Sequence, residues 1–108
     1  MGTSHFQMAE ECFAMRERRA FCDRARSDRA VGLWAASQLG LSEGAARVYA
    51  ESIVAAGVLS ADGRGGFDRV AADLSRVMVE VDAIRMQYTA AMAEAAPARI
   101  ETAPALYA

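Results

Sequence analysis

The chain has 108 residues, 54% of them hydrophobic, with 12 basic side chains against 14 acidic ones. That length holds one small domain, and a net charge of −2 excludes a globally basic nucleic-acid binder. Alanine fills 25 positions, proline only two, and every basic residue is arginine, a bias that GC-rich codons explain. Abundant alanine with few β-branched residues argues for helices packed on helices and against sheet architectures.

Residues 1–5 read as a polar tail. From about Phe6 to Leu39 the chain is free of proline and rich in Ala, Arg, Glu, Met and Leu, which predicts one long helix. Its apolar positions are Phe21, Ala25, Val31, Ala35 and Leu39, widened by Leu33 and Trp34. Gly32 interrupts this run at a cost of about 1 kcal/mol relative to alanine, so it marks either a close helix contact or a hinge. Gly40 is placed to end the helix. Ser42 is a favoured N-cap for a second helix, with Glu43 suited to the positive end of its dipole. That helix carries Ala45, Val48, Tyr49, Ser52, Ile53 and Ala56 on its apolar side and is expected to close at Gly57.

Residues 58–66 form a turn-rich connection. Phe67, Val70, Ala71, Leu74, Val77 and Met78 then fall at i, i+3, i+4, i+7, i+10 and i+11, a continuous stripe for a third helix. Asp68, Arg69, Asp73, Ser75 and Arg76 take its polar face. Val79–Val81 suits a short extended link, and Asp82 is the expected N-cap of a fourth helix bearing Ile84, Tyr88, Ala91, Met92 and Ala95. Pro97 is expected to end it, leaving a loose tail over 98–108 that includes Pro104. The expectation is an all-α fold: a small four-helix bundle with Trp34 in its core and an N-terminal helical or disordered arm. The division expected is an arm over 1–21, a bundle over 22–96 and a flexible tail over 97–108.

Cys12 and Cys22 are ten residues apart in one predicted helix, a rise of about 15 Å, whereas a disulfide needs about 4.4–6.8 Å between Cα atoms. Two reduced thiols are expected. They match no zinc spacing, and the sole histidine, His5, lies in the polar tail, so neither metal nor cofactor is expected. With one histidine, a Ser-His-Asp or Cys-His arrangement has almost nothing to be built from, and no catalytic residue is assigned. The run Asp62-Gly63-Arg64-Gly65-Gly66 could present backbone N–H groups to a phosphate, but it lacks the Gly-Lys-Ser/Thr ending of a P-loop and reads as a turn. Residues 16–29 hold six of the twelve arginines against Glu17, Asp23 and Asp28, a local charge of +3 in an otherwise acidic chain. Mixed charge without stacking aromatics argues against a nucleic-acid groove. No apolar run approaches the roughly 20 residues that span a bilayer. Glu10, Glu11 and the arginines at 16, 18 and 19 interrupt any signal-peptide core, so a soluble, cytoplasmic protein is expected.

The block Gly32-Leu33-Trp34-Ala35-Ala36, followed by Leu39-Gly40-Leu41-Ser42, resembles the zeta-subunit family, small inhibitors of F-type ATP synthase in alpha-proteobacteria. The likeness continues through Tyr49-Ala50-Glu51, Ile53-Val54-Ala55-Ala56, Phe67, Val70, Ala72-Asp73-Leu74, Ile84-Arg85 and Ala93-Glu94-Ala95, covering roughly residues 13–95. The resemblance implies a four-helix bundle without catalysis of its own. It also implies an N-terminal segment that wedges into a catalytic α/β interface beside the γ shaft and blocks rotation in the hydrolysis direction. Partners would be the α, β and γ subunits of the catalytic head, placing the protein peripheral to the inner membrane without inserting into it. Carried onto this chain, the arm covers about residues 6–21, with Phe6, Met8, Phe13 and Met15 as apolar anchors and Arg16, Arg18 and Arg19 as charged contacts to an acidic surface. The same residues would also suit an amphipathic first helix packed on the bundle.

The arm is also where the chain departs from the family. Aligned without a gap, Phe13 and Phe21 match two family aromatics while the earlier ones fall on Gly2 and Ala9. A deletion of about four residues, one helical turn, would instead match Phe6 and Phe13. Where the family carries a His-Asp-Glu-Glu run, this chain reads Met15-Arg16-Glu17-Arg18, so an acidic patch has become mostly basic. The alternative is a non-inhibitory paralogue acting as a protein-binding adaptor, with weak nucleotide binding a lesser alternative.

Overall fold

In the computed structural model the backbone is described over residues 5–102 and side chains over residues 14–94. Four helices follow in chain order: α1 His5–Gln38, α2 Glu43–Leu59, α3 Gly65–Ser75 and α4 Val81–Thr102. No strand occurs among the described residues, so the fold is an all-α four-helix bundle. The proline-free first third of the sequence is a single helix of 34 residues, about 51 Å long.

Each junction has a local cause. Gly40 takes φ +74°, its N–H donates to the Ser37 carbonyl at 3.1 Å, and the Leu41 N–H reaches back to Ala36 at 3.0 Å. These two bonds satisfy the orphan carbonyls at the end of α1. Ser42, in an extended conformation, then accepts from the Ala45 N–H and caps α2. α2 passes through Gly57 and stops two residues later. The Ser60 Oγ donates to the Gly57 carbonyl at 2.9 Å and accepts from the Gly65 N–H at 2.9 Å, so one hydroxyl ends α2 and starts α3.

The remaining ends differ from the sequence expectation. α3 stops at Ser75 because Met78 turns into the left-handed region at φ +62°, with Met78 N–H to Ser75 and Val79 N–H to Leu74 closing the helix. Val77 and Met78 therefore leave the stripe that periodicity assigns them, and Met78 is 89% exposed. Asp82 is not the N-cap of α4 but sits in its first turn, where it accepts from Arg85 and still complements the dipole. Pro97 does not end α4. It forfeits one donor, to the carbonyl of exposed Ala93, and the alanines at 95, 96 and 98 carry the helix on to Thr102. Residues 98–102, expected to be loose, are thus helical, while 103–108 lie outside the described residues.

Every helix contributes to one core: Val31 and Ala35 from α1, Ile53 from α2, Val70 and Leu74 from α3, and Ile84 from α4. Trp34 is not at its centre, as expected, but partly buried against its edge with Leu39, Tyr49 and Phe67. Val48, expected on the apolar side of α2, faces solvent. Gly32 marks a close contact and not a hinge: a Cβ there would lie 2.8 Å from the Ala50 Cα, so α1 and α2 touch backbone to backbone, flanked by buried Ala35 and Ala36. Tyr49 donates to Asp73 at 2.8 Å, tying α2 to α3, and Ser27 donates to the Met92 sulfur at 2.9 Å, tying α1 to α4.

Gly32→Ala gains about 1 kcal/mol of helix propensity but forces two helices apart, an overpacking penalty of about 1–3 kcal/mol. A net loss of stability in urea is expected, and an unchanged or higher midpoint would contradict the close-contact reading. Met78→Gly relieves a left-handed residue that costs about 1–2 kcal/mol and is expected to raise the midpoint by a comparable amount.

Candidate functional site

The N-terminal half of α1 behaves unlike the rest of the helix. From Ala14 to Cys22 no residue is buried, and the first buried side chain among the described residues is Asp23. Met15 is 49% exposed, and Arg16, Arg18 and Arg19 all face solvent. At about 100° per residue, Met15, Arg18, Arg19 and Cys22 form one stripe at i, i+3, i+4 and i+7. Arg16 stands a quarter-turn aside. Position 8 falls on the Met15 stripe, whereas positions 6 and 13 fall on the opposite side; position 13 is five full turns from Val31, which faces the core. The structure therefore brings Met15, Arg18 and Arg19 together, with Arg16 at the edge of the stripe, one turn before Arg19. The side chains of Phe6, Met8 and Phe13 lie outside the described residues. Cys22 is an exposed free thiol. No group of His, Cys, Asp or Glu that could hold a metal ion occurs among the described residues.

Where α1 enters the bundle it carries a buried carboxylate that sequence reading passed over. Asp28 is 6% exposed, and its Oδ1 accepts from the Tyr88 hydroxyl of α4 at 2.7 Å. Gly57 of α2 and Gly66 of α3 offer bare Cα atoms to the same carboxylate, and a Cβ on either would collide with its oxygens. Gly66 lies in the first turn of α3, where the helix dipole favours negative charge. Gly66, the last glycine of the 62–66 turn, thus packs against the chain's own carboxylate. Burial pushes the Asp28 carboxyl above its ordinary range, against the lowering influence of Tyr88 and then Arg24. Burial, with the Asp28 hydrogen bond and charge, holds the Tyr88 phenol protonated well above the usual tyrosine range. The signal in the sequence was the set of glycines at 57 and 66, which were read as turn-makers.

Two cavities flank this junction on either side of Arg24. One, of about 260 Å³, is walled by Phe21, Ala25, Val58 and Ala61. The other, of about 280 Å³, brings Arg24, Arg64 and Arg85 together beside Phe67 and Tyr88, whose rings lie 5.7 Å apart.

The raised Asp28 value makes a pH-dependent contribution to stability. It is fully present below the unfolded value of about 3.8 and is lost as pH rises through the higher folded value. Asp28→Asn keeps an acceptor for Tyr88 and never ionises. Its stability relative to the parent chain is therefore expected to rise from just below pH 3.8 to neutrality, measured as the difference in denaturant midpoints. A difference that stays flat across that range would refute the assignment.

The family model for ATPase inhibitor subunit zeta matches residues 3–98, taking in the N-terminal half of α1 as well as the bundle. Comparisons with curated proteins and with solved structures give no match. No helix among the described residues is long and apolar enough to cross a membrane. A match over nearly the whole chain, on an all-α bundle whose first helix outruns its core, establishes that the protein belongs to the ATPase inhibitor subunit zeta family.

Proposed function

We propose that this inhibitor subunit binds the catalytic head of F-type ATP synthase and blocks ATP hydrolysis through the N-terminal part of α1, residues 6–21. The bundle from residue 22 onward, with α4 continuing to Thr102, anchors it outside the cleft. The observation that carries the reading is that residues 14–22 include no fully buried side chain while presenting Met15, Arg18 and Arg19 on one stripe. A first helix packed on its own bundle would hide one side of this segment. Anchors on opposite sides of the helix, positions 6 and 13 against 8 and 15, suit a helix wedged between two subunits with γ beside it. Arginine makes such contacts well, because its planar guanidinium pairs two-pronged with carboxylates. The change from a family acidic run to Met15-Arg16-Glu17-Arg18 then implies a partner surface with acidic groups opposite.

The decisive measurement is ATP hydrolysis by the cognate catalytic head with the purified full chain added. Hydrolysis is expected to fall, and no effect at saturating protein would leave the adaptor reading in its place. The Arg18→Glu/Arg19→Glu variant, altered only at exposed positions, is expected to lose inhibition by about tenfold or more with an unchanged melting temperature. Retained inhibition would remove the arm stripe from the contact.

Weak nucleotide binding is favoured at one place, the cavity where Arg24, Arg64 and Arg85 meet the Phe67–Tyr88 pair. Addition of ADP with magnesium should shift backbone amide resonances around these residues; unmoved resonances would dispose of this second reading.

A further inference from the structure

Three arginines from three elements converge on the cavity of about 280 Å³ between α1, the start of α3 and α4. Arg24 comes from α1, Arg64 is the N-cap of α3, and Arg85 lies in the second turn of α4. A Cβ at Gly63 would lie 3.6 Å from the Arg24 Cδ, so the Arg24 side chain crosses from α1 onto the turn before α3. The Arg64 guanidinium stands over the Phe67 ring, 5.9 Å from its centroid. A guanidinium stacked in this way keeps its in-plane N–H groups for an anion. Phe67, Tyr88 and Met92 supply the apolar wall.

Charge and lining narrow what the cavity would hold. Its wall carries three positive side chains and one acid, Asp28, which is buried and takes the Tyr88 hydroxyl at 2.7 Å. Burial favours the neutral form of that acid, so it offsets little of the positive charge, although Arg24 acts on it. Arg85 also pairs with Asp82 at 3.2 Å, while Arg24 and Arg64 enter none of the ion pairs among the described residues. Two guanidinium groups are thus available to one anionic group, and each can grip a carboxylate through two parallel N–H donors. The other polar side chains are engaged, Ser27 with the Met92 sulfur at 2.9 Å and Tyr88 with Asp28. A sugar would find few partners for its hydroxyls there, and polar groups desolvated without partners weaken binding. An apolar body suits the wall, and the volume stands at the lower limit of ligand pockets.

We infer that this cavity binds a small organic acid, a carboxylate on an apolar body of one or two rings. Arg24 and Arg64 hold the carboxylate, and the body lies against Phe67, Tyr88 and Met92. The occupant differs from a nucleotide in lacking a sugar and phosphates, and the inference stands apart from binding to the catalytic head.

The probe is 2-naphthoate added to the full-length chain, with binding read from the backbone amide resonances of Arg24, Gly63, Phe67 and Tyr88. Saturable shifts are expected at these residues, with a Kd of about 1 mM or tighter for a ligand of this size. Naphthalen-2-ylmethanol, the same body without the charge, is expected to bind about tenfold more weakly or worse. Arg24→Gln/Arg64→Gln alters two exposed side chains and is expected to weaken naphthoate binding about tenfold or more at an unchanged melting temperature. Should that variant fail to fold, the alcohol comparison on the parent chain carries the test by itself. Resonances unmoved by naphthoate at about 10 mM would overturn the assignment. So would an alcohol that binds equally well, or a folded arginine variant of unchanged affinity. ADP with magnesium moving these resonances where naphthoate does not would overturn it in favour of a nucleotide.

Discussion

Four helices converge on one buried carboxylate. Asp28 comes from α1, takes a hydrogen bond from Tyr88 of α4, and fits between the bare backbones of Gly57 in α2 and Gly66 in α3. A charge taken out of water is expensive unless polar groups compensate for it. The phenol, the first turn of α3 and Arg24 supply that compensation only when all four elements are in place. Apolar burial in Val31, Ile53, Leu74 and Ile84 provides the driving force, but such contacts are non-directional. The carboxylate adds direction, because its partners accept little displacement. It also fixes where α1 stops being core and becomes arm, since Asp28 lies less than two turns beyond Phe21, where exposure begins.

Much of this was readable in the residues. The long first helix, the Gly40 stop, the Ser42 cap and the Phe67-to-Leu74 stripe all follow from local rules, and local rules act wherever the chain makes its own hydrogen bonds. Three features were not readable. Val77 and Met78 continue a perfect apolar period yet leave the helix, because chain reversal into α4 needs a left-handed residue and no glycine is present to supply it. Pro97 looks like a stop, yet among alanines it removes one bond and the helix continues to Thr102. Gly57 and Gly66 look like punctuation, yet they are sockets for a side chain almost thirty residues or more away in sequence. Each miss involves a long-range partner or an exposed site, neither of which periodicity reports.

For the candidate site the division is similar. Met15, Arg18 and Arg19 share a stripe that helical spacing alone foretells, and their exposure agrees with a surface kept for a partner. Phe21 and Val58 could not be grouped from sequence, since they meet only because α2 returns to the foot of α1. The glycine-rich turn, which suggested phosphate, proves to be a place where the fold accommodates its own negative charge.

The absence of a hinge in α1 has a mechanical consequence. The helix runs unbroken from the exposed half to Val31 and Ala35, and its one interior glycine is pinned against Ala50. A sideways load on the exposed half is therefore delivered to the core as a bending moment about the Asp28 junction. Under such a load α1 acts as a lever with the bundle as its fulcrum, and the packing of α1 on α2 carries the reaction.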